Sequence, residues 1–282
     1  MTAPSERRAR GAVQRAVYGT ATRLGAVDFL RARYTSAYKF APHSHPVFAV
    51  GVVREGACRI WHRGASHVAS AGDLVLMNPG DPHSAEAATD GVWEYDAIYF
   101  DAEAAASWCG GHVRAQRFGG VVRSDRDLAG RLSTLCRVLE DDPSRSAEDR
   151  FRLLARDLFL RFGVRSHDGA APPEEYVRAR EYIEANYHRP VPLQALAELT
   201  GQSPFALVRG FSRAWGMPPH RYLVNVRVAH ARALLRAGHA ITDTAMAVGF
   251  CDQSHLTRFF RGITGVPPGV YARGIGGASP GA

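Results

Sequence analysis

The rhythm of apolar and polar positions changes along the chain and divides it into three stretches. From about Val27 to Phe100 short runs of strand character recur, at Val47–Val53, Cys58–His62, Asp73–Met77 and Trp93–Phe100. Turn-forming residues separate them: Arg54-Glu55-Gly56, Arg63-Gly64, Ala71-Gly72-Asp73 and Asn78-Pro79-Gly80-Asp81-Pro82. Short strands punctuated in this way predict a β-sandwich or barrel. After Glu103 the period becomes helical. Leu128, Leu132, Leu135 and Leu139 form one apolar stripe, which ends before Asp141-Asp142-Pro143. Phe151, Leu154, Leu158 and Phe162 form a second, on a helix from Ala147 to Phe162. A stripe must be covered, either by the sheet of its own domain or by a second copy of the chain in a homodimer seam. Residues 163–173 read as a linker by composition, and Glu174–His188 as a helix leading onward.

The third stretch, Leu193–Tyr271, contains a repeat. Leu207-x-Arg209-x-Phe211 recurs as Leu256-x-Arg258-x-Phe260, and Gly216, Pro218-Pro219 and Tyr222 recur as Gly265, Pro267-Pro268 and Tyr271. The offset is 49 residues throughout, so one supersecondary unit occurs twice. Each copy predicts a helix-turn-helix. Leu193, Leu196, Ala197 and Leu199 give a short first helix, Gly201 a turn, Ser203 an N-cap and Pro204 the first position of a second helix. In the other copy Ile241, Ala245 and Val248 give the first helix, Gly249 the turn and Asp252 the cap.

At 100° per residue, Leu207 and Phe211 share the inner face of the second helix, and Arg209 points away from them. Phe205, Ala206, Ser212 and Arg213 flank it. In the second copy Leu256 and Phe260 face inward. Arg258 points outward beside Gln253, Ser254, His255, Thr257 and Arg261. Arginine in a major groove can donate twice to guanine or grip phosphate. A helix predicted over Pro219–Ala237, ending near Gly238, joins the units. Its nineteen residues span roughly 28 Å, against about 34 Å for one turn of DNA.

Residues from about Pro192 to Tyr271 closely resemble the DNA-binding domain of the AraC/XylS transcription regulators. The resemblance is carried by Leu193-x-x-Leu196-Ala197, Ser203, Leu207-x-Arg209-x-Phe211, Gly216, Pro219, Tyr222-Leu223, Arg227, Ala231 and Leu234-Leu235. It continues in Ile241, Ala245, Gly249-Phe250, Ser254, Leu256-x-Arg258-x-Phe260, Gly265, Pro267 and Tyr271. It implies two helix-turn-helix units that read adjacent major-groove segments on one DNA face. Upstream, His43-Ser44-His45, Gly72 and Pro79-Gly80-x-x-His83 resemble the cupin-like barrel that precedes this domain in many such regulators. Metal cupins add a carboxylate to such histidines; here the segment after His45 is apolar and the glutamate is missing. His43, His45 and His83 are therefore read either as hydrogen-bonding residues for a small ligand, the preferred reading, or as structural, turn-satisfying histidines, with no metal and no cofactor expected.

Composition narrows the picture. With 46% hydrophobic and 22% charged residues the chain reads as globular and of two domains, and no apolar run nears the ~20 residues of a membrane helix. The arginine-rich start lacks the apolar core of a secretory signal. Cys58, Cys109, Cys136 and Cys251 lack metal spacing and read as isolated thiols of a cytoplasmic protein. Net charge is +8, and from Gly201 onward nine arginines and two acids give +7. Charge placed this way steers a protein to a polyanion.

The expected fold class is α+β in two domains: a cupin-like β-barrel followed by helices, then an all-α domain with two helix-turn-helix units on a long helix. The expected boundaries are a flexible arm over 1–24, a ligand-binding and dimerisation domain over 25–162, a linker over 163–173, a DNA-binding domain over 174–273 and a tail over 274–282. The expected function is a sequence-specific transcription regulator, an activator in the preferred reading, controlled by a small-molecule effector. Its partners would be double-stranded promoter DNA, the effector, a second copy of the chain and RNA polymerase, without a membrane. The competing readings are a metal-dependent cupin enzyme fused to a DNA-binding domain, and a regulator that needs no ligand.

Overall fold

The computed structural model describes residues 13–21, 27–108, 116–141, 145–165 and 172–275. They divide into two compact units. One holds the described residues up to Arg165 apart from 41–44, together with 273–275; the other holds 41–44 and the described residues from 172 to 272.

The first unit opens with nine strands: β1 (Val13–Ala21), β2 (Val27–Thr35), β3 (Lys39–His43), β4 (Phe48–Glu55), β5 (Ala57–His62), β6 (Ala65–Ser70), β7 (Asp73–Met77), β8 (His83–Ala87) and β9 (Val92–Phe100). A short helix α1 (Ala102–Trp108), strands β10 (Gln116–Phe118) and β11 (Val122–Ser124), helices α2 (Arg126–Asp141) and α3 (Arg145–Phe162) and strand β12 (Gly163–Arg165) complete it. A six-stranded sheet runs β1-β2-β9-β4-β7-β11 and a four-stranded sheet β3-β8-β5-β6.

Alternation sorts the large sheet's two faces. Phe48, Val50 and Val52 of β4, Leu74 and Leu76 of β7, and Ile98 and Phe100 of β9 share a core with Leu128, Leu132, Leu135 and Leu139 of α2 and Phe151, Leu154 and Leu158 of α3. The intervening positions turn to the other face. There Tyr34 stacks on Tyr38, Phe40 meets both edge to face, and Trp93 lies tilted against Tyr34. Gly51 gives Tyr95 its room on this face, since a Cβ there would stand 1.9 Å from the Tyr95 hydroxyl.

Three sequence expectations are corrected here. The Leu128–Leu139 stripe is core against the domain's own sheet, with Leu128 and Leu132 wholly buried, so it is not a dimer seam. Residues 13–21, expected within a flexible arm, form β1 and pair with β2 along their length; residues 1–12 and 22–24 lie outside the described residues. Residues 163–165, expected as linker, pair with β10, and 166–171 lie outside the described residues. Of the expected tail, Gly274 and Ile275 end the last helix and the rest is outside the described residues.

The second unit is helical: α4 (Glu174–Asn186), α5 (Leu193–Thr200), α6 (Pro204–Trp215), α7 (Pro219–Arg236), α8 (Ile241–Ala247), α9 (Gln253–Thr264) and α10 (Pro268–Ile275). Ala179 and Ile183 of α4 close the first repeat's core with Leu196, Ala197, Leu207, Phe211 and Leu223. In the second repeat Ala245, Val248, Leu256, Phe260, Val266 and Tyr271 are fully buried. Among the described residues no helix is long and apolar enough to cross a membrane.

Candidate nucleic-acid interface and effector site

Each reading unit is built as its local sequence dictates. Gly201 ends α5 at φ 67°, and Gly249 follows α8 at φ 85°, left-handed turns that glycine enters without a Cβ penalty. The Ser203 hydroxyl accepts from the Ala206 amide at 3.3 Å, and the Asp252 carboxylate from the His255 amide at 2.7 Å. Both recognition helices, α6 and α9, thus start on a side-chain cap, which contributes about 0.5–2 kcal/mol each. Both end at a left-handed glycine, Gly216 and Gly265.

The burial pattern sorts the outer faces. Leu207, Phe211, Leu256 and Phe260 are buried, while Phe205, Ala206, Arg209, Arg213, Gln253, Ser254 and Arg258 are exposed. Among the described residues no carboxylate lies within ion-pair range of Arg209, Arg213 or Arg258. The guanidinium of Arg209 lies 5.5 Å from the Phe205 ring and that of Arg258 lies 4.9 Å from the Phe259 ring. Each arginine is therefore held on an aromatic face with its donors available.

Three of the expected residues are partly engaged elsewhere. The Ser212 hydroxyl donates to the Val208 carbonyl at 2.6 Å. Gln253 accepts from the Thr242 hydroxyl at 2.9 Å, which bridges α8 to α9. The His255 ring packs against Phe250 and Phe259, at 5.2 and 5.1 Å between centroids. Burial, then the nearby Arg258 charge, lowers its pKa. Thr257 is half-buried, as is Arg261.

Tyr176 was not singled out by sequence. A Cβ on Gly210 would stand 1.8 Å from the Tyr176 hydroxyl, which also donates to Gln202 at 3.2 Å. Arg227 was noted only as part of the family pattern; it donates to the Tyr187 and Arg189 carbonyls at 2.7 and 3.0 Å and ties α7 to the end of α4.

In the first unit the His45 and His83 rings meet edge to face at 5.0 Å between centroids, and His43 ends β3. His43 Nδ1 donates to the Ala41 carbonyl at 2.8 Å, His45 Nδ1 to Val47 at 2.8 Å and His83 Nδ1 to Asp81 at 2.9 Å. A carbonyl only accepts, so all three rings carry their proton on Nδ1. Burial pushes the His83 pKa down to about 4. Nearby, a cavity of about 320 Å³ is lined by His62, Arg63, His67, Asp81 and Arg117 among others. Asp81 is 2% exposed and accepts from Arg117 at 2.6 Å, Arg63 at 2.8 Å and Asn78 at 3.0 Å. Burial pushes its pKa up, but the His62 ring 3.2 Å away, the hydrogen bond from Asn78 and the two guanidinium charges outweigh this and hold it well below the usual carboxylate range. His62, Arg63 and Asp81 lie in strand and turn segments that the sequence marks, but nothing in the spacing joins them to Arg117; long-range folding brings Arg117 to Asp81. Cys58 and Cys136 are buried free thiols and Cys251 an exposed one; Cys109 lies outside the described residues.

A two-sheet domain joined to a capped, arginine-faced pair of helix-turn-helix units defines a two-domain, DNA-binding transcription regulator. Two family profiles match, an AraC-like ligand binding domain over residues 24–162 and a helix-turn-helix domain over residues 196–274. The chain belongs to the AraC family of transcription regulators, a non-enzymatic family. It is 29% identical over 224 residues to the uncharacterized HTH-type transcriptional regulator YbfI of Bacillus subtilis, across 77% of this chain and 82% of that one. It is 25% identical to the HTH-type transcriptional activator RhaS of Yersinia pestis, across 79% and 85% of the two chains. Among solved structures, an apo ToxT variant of Vibrio cholerae aligns with TM-score 0.56 and 14% identity over 86% of this chain and 96% of that one. Wild-type ToxT with unsaturated fatty acid bound aligns with TM-score 0.54 and 12% identity over 96% of each. At that identity the likeness concerns the fold.

Proposed function

We propose that α6 and α9 enter successive major-groove segments on one face of promoter DNA, and that a small-molecule effector bound in the first unit controls the outcome. The observation that carries this is the pair of exposed arginines, Arg209 and Arg258, held on aromatic rings at equivalent places in two capped helices. Arg258 and Arg209 read bases, while Arg213 and Arg261 grip phosphate. Gln253, Ser254 and Thr257 tune sequence in α9. Phe205 and Ala206 supply apolar contact to thymine methyls from α6, while Ser212 in α6 and His255 in α9 shape the helices they stand on. The effector meets His43, His45 and His83. A homodimer in the cytoplasm, acting as an activator that contacts RNA polymerase, completes the reading; the activator named RhaS among the relatives supports that sign of regulation. The test is a gel shift on the selected operator. Arg258→Ala should weaken specific binding by about 1–3 kcal/mol while the circular dichroism spectrum stays unchanged, and equal affinity of variant and parent would remove the role.

A further inference from the structure

We propose that the cavity beside Asp81 binds a small organic monocarboxylate, held by Arg63, Arg117 and His62. This goes beyond the effector reading and does not rest on it, since none of the three histidines assigned there lines the cavity. The site stands at the turn between β5 and β6, and all its residues belong to the first unit. Its volume of about 320 Å³ falls at the small end of the roughly 300–1,000 Å³ of ligand pockets.

Charge is unbalanced in this place. Arg63 Nη2 and Arg117 Nη2 both donate to one oxygen, Asp81 Oδ1, at 2.8 and 2.6 Å. Among the described residues no other carboxylate lies in ion-pair range of either guanidinium. Asp81 is buried and stays ionised. With the imidazoles counted as neutral, one positive charge is left over. A guanidinium carries five N–H donors, so most of the donors on these two groups have no protein acceptor. His62 Nε2 is buried 3.2 Å from Asp81 Oδ2, yet makes no hydrogen bond of good geometry. Such an orphan costs stability until an acceptor meets it. Arg63 is also the one non-glycine residue with a left-handed φ, 49°, among the described residues. It shares its turn with Gly64, and asparagine or glycine enters that conformation more easily. The backbone does not call for an arginine there; the side chain is the reason for it.

The walls are fixed in advance. Asn78 donates to Asp81 at 3.0 Å and accepts from the Phe118 amide at 2.7 Å, and the Leu76 amide donates to the Val121 carbonyl at 2.7 Å. A preformed site has little ordering cost on binding. Guanidinium forks match the two oxygens of a carboxylate or a phosphate. One surplus positive charge matches a monoanion, whereas a phosphate dianion would leave the cavity net negative. Leu76, Phe118 and Val121 also line it, which favours an organic body over a bare inorganic ion.

The experiment titrates the full-length chain, without DNA, by calorimetry. The probes are cyclohexanecarboxylate, its neutral amide and inorganic phosphate. One carboxylate per chain is expected, with phosphate at least about tenfold weaker and no binding of the amide. Arg63→Gln and Arg117→Gln should each weaken the carboxylate about tenfold, the order expected for one charge-assisted hydrogen bond. Asp81→Asn should tighten it about tenfold, because both guanidinium groups lose their internal anion. A purely structural ion-pair cluster gives no such gain. If the variants lose their near-ultraviolet circular dichroism, the wild type decides by nuclear magnetic resonance. The ring signals of His62 and His67, whose centroids lie 6.4 Å apart at the cavity, should move on saturation, while exposed His239 stays unchanged. Absence of saturable carboxylate binding, equal binding of the amide, a preference for phosphate, a folded Asp81→Asn chain with no gain in affinity, or unmoved His62 and His67 signals overturns the proposal.

Discussion

Gly210 shows how far single residues could be read. In the sequence it is an unexplained helix-interior glycine, costing about 1 kcal/mol relative to alanine. Its reason is the Tyr176 hydroxyl, which stands where a Cβ would be, and Tyr176 lies on a different helix. Gly210→Ala should therefore lower the melting temperature of the helical unit, because overpacking of about 1–3 kcal/mol exceeds the propensity gain. Calorimetry checks this, and a raised melting temperature would mean the tyrosine yields. Caps were legible because a serine or aspartate acts on an amide three residues away, as Ser203 and Asp252 do. The Asp81 cluster was not legible. Asp81 meets Arg63 and Arg117 only after the chain folds, and nothing in local spacing announces that meeting.

At the scale of elements, periodicity located helices more securely than it located their partners. The α2 stripe was evident as apolar spacing, yet spacing states that a face is covered and leaves open by what. The sheet covers it. Leu135→Asp should therefore abolish the fold of the first unit, seen as lost near-ultraviolet circular dichroism; a folded chain of halved mass in light scattering would restore the seam. Strands β6 and β8 escaped the pattern for a related reason. In β6 Ala69 is buried among mostly exposed neighbours, and in β8 all five residues are half-buried, so neither alternates strongly. The recognition helices were legible throughout, because repeat, cap, turn glycine and inner-face pair agree in both copies.

Across the whole molecule, charge and repeat point the same way. The +7 carried from Gly201 onward predicts a steep salt dependence. If Arg209, Arg213, Arg258 and Arg261 each displaced one counterion, affinity would fall roughly a hundredfold between 50 and 200 mM salt. A flat titration would argue against phosphate neutralisation. The 18 residues of α7 give a rod of about 27 Å, close to the pitch of one DNA turn. The central claim is that the two copies read two segments of one face of the duplex. Binding-site selection with the parent, followed by footprinting of Arg209→Ala and Arg258→Ala, tests it most directly. The account predicts two short determinants centred about 10 base pairs apart, with each substitution erasing sequence preference in one of them. A single determinant, or protection unchanged by both substitutions, would contradict it.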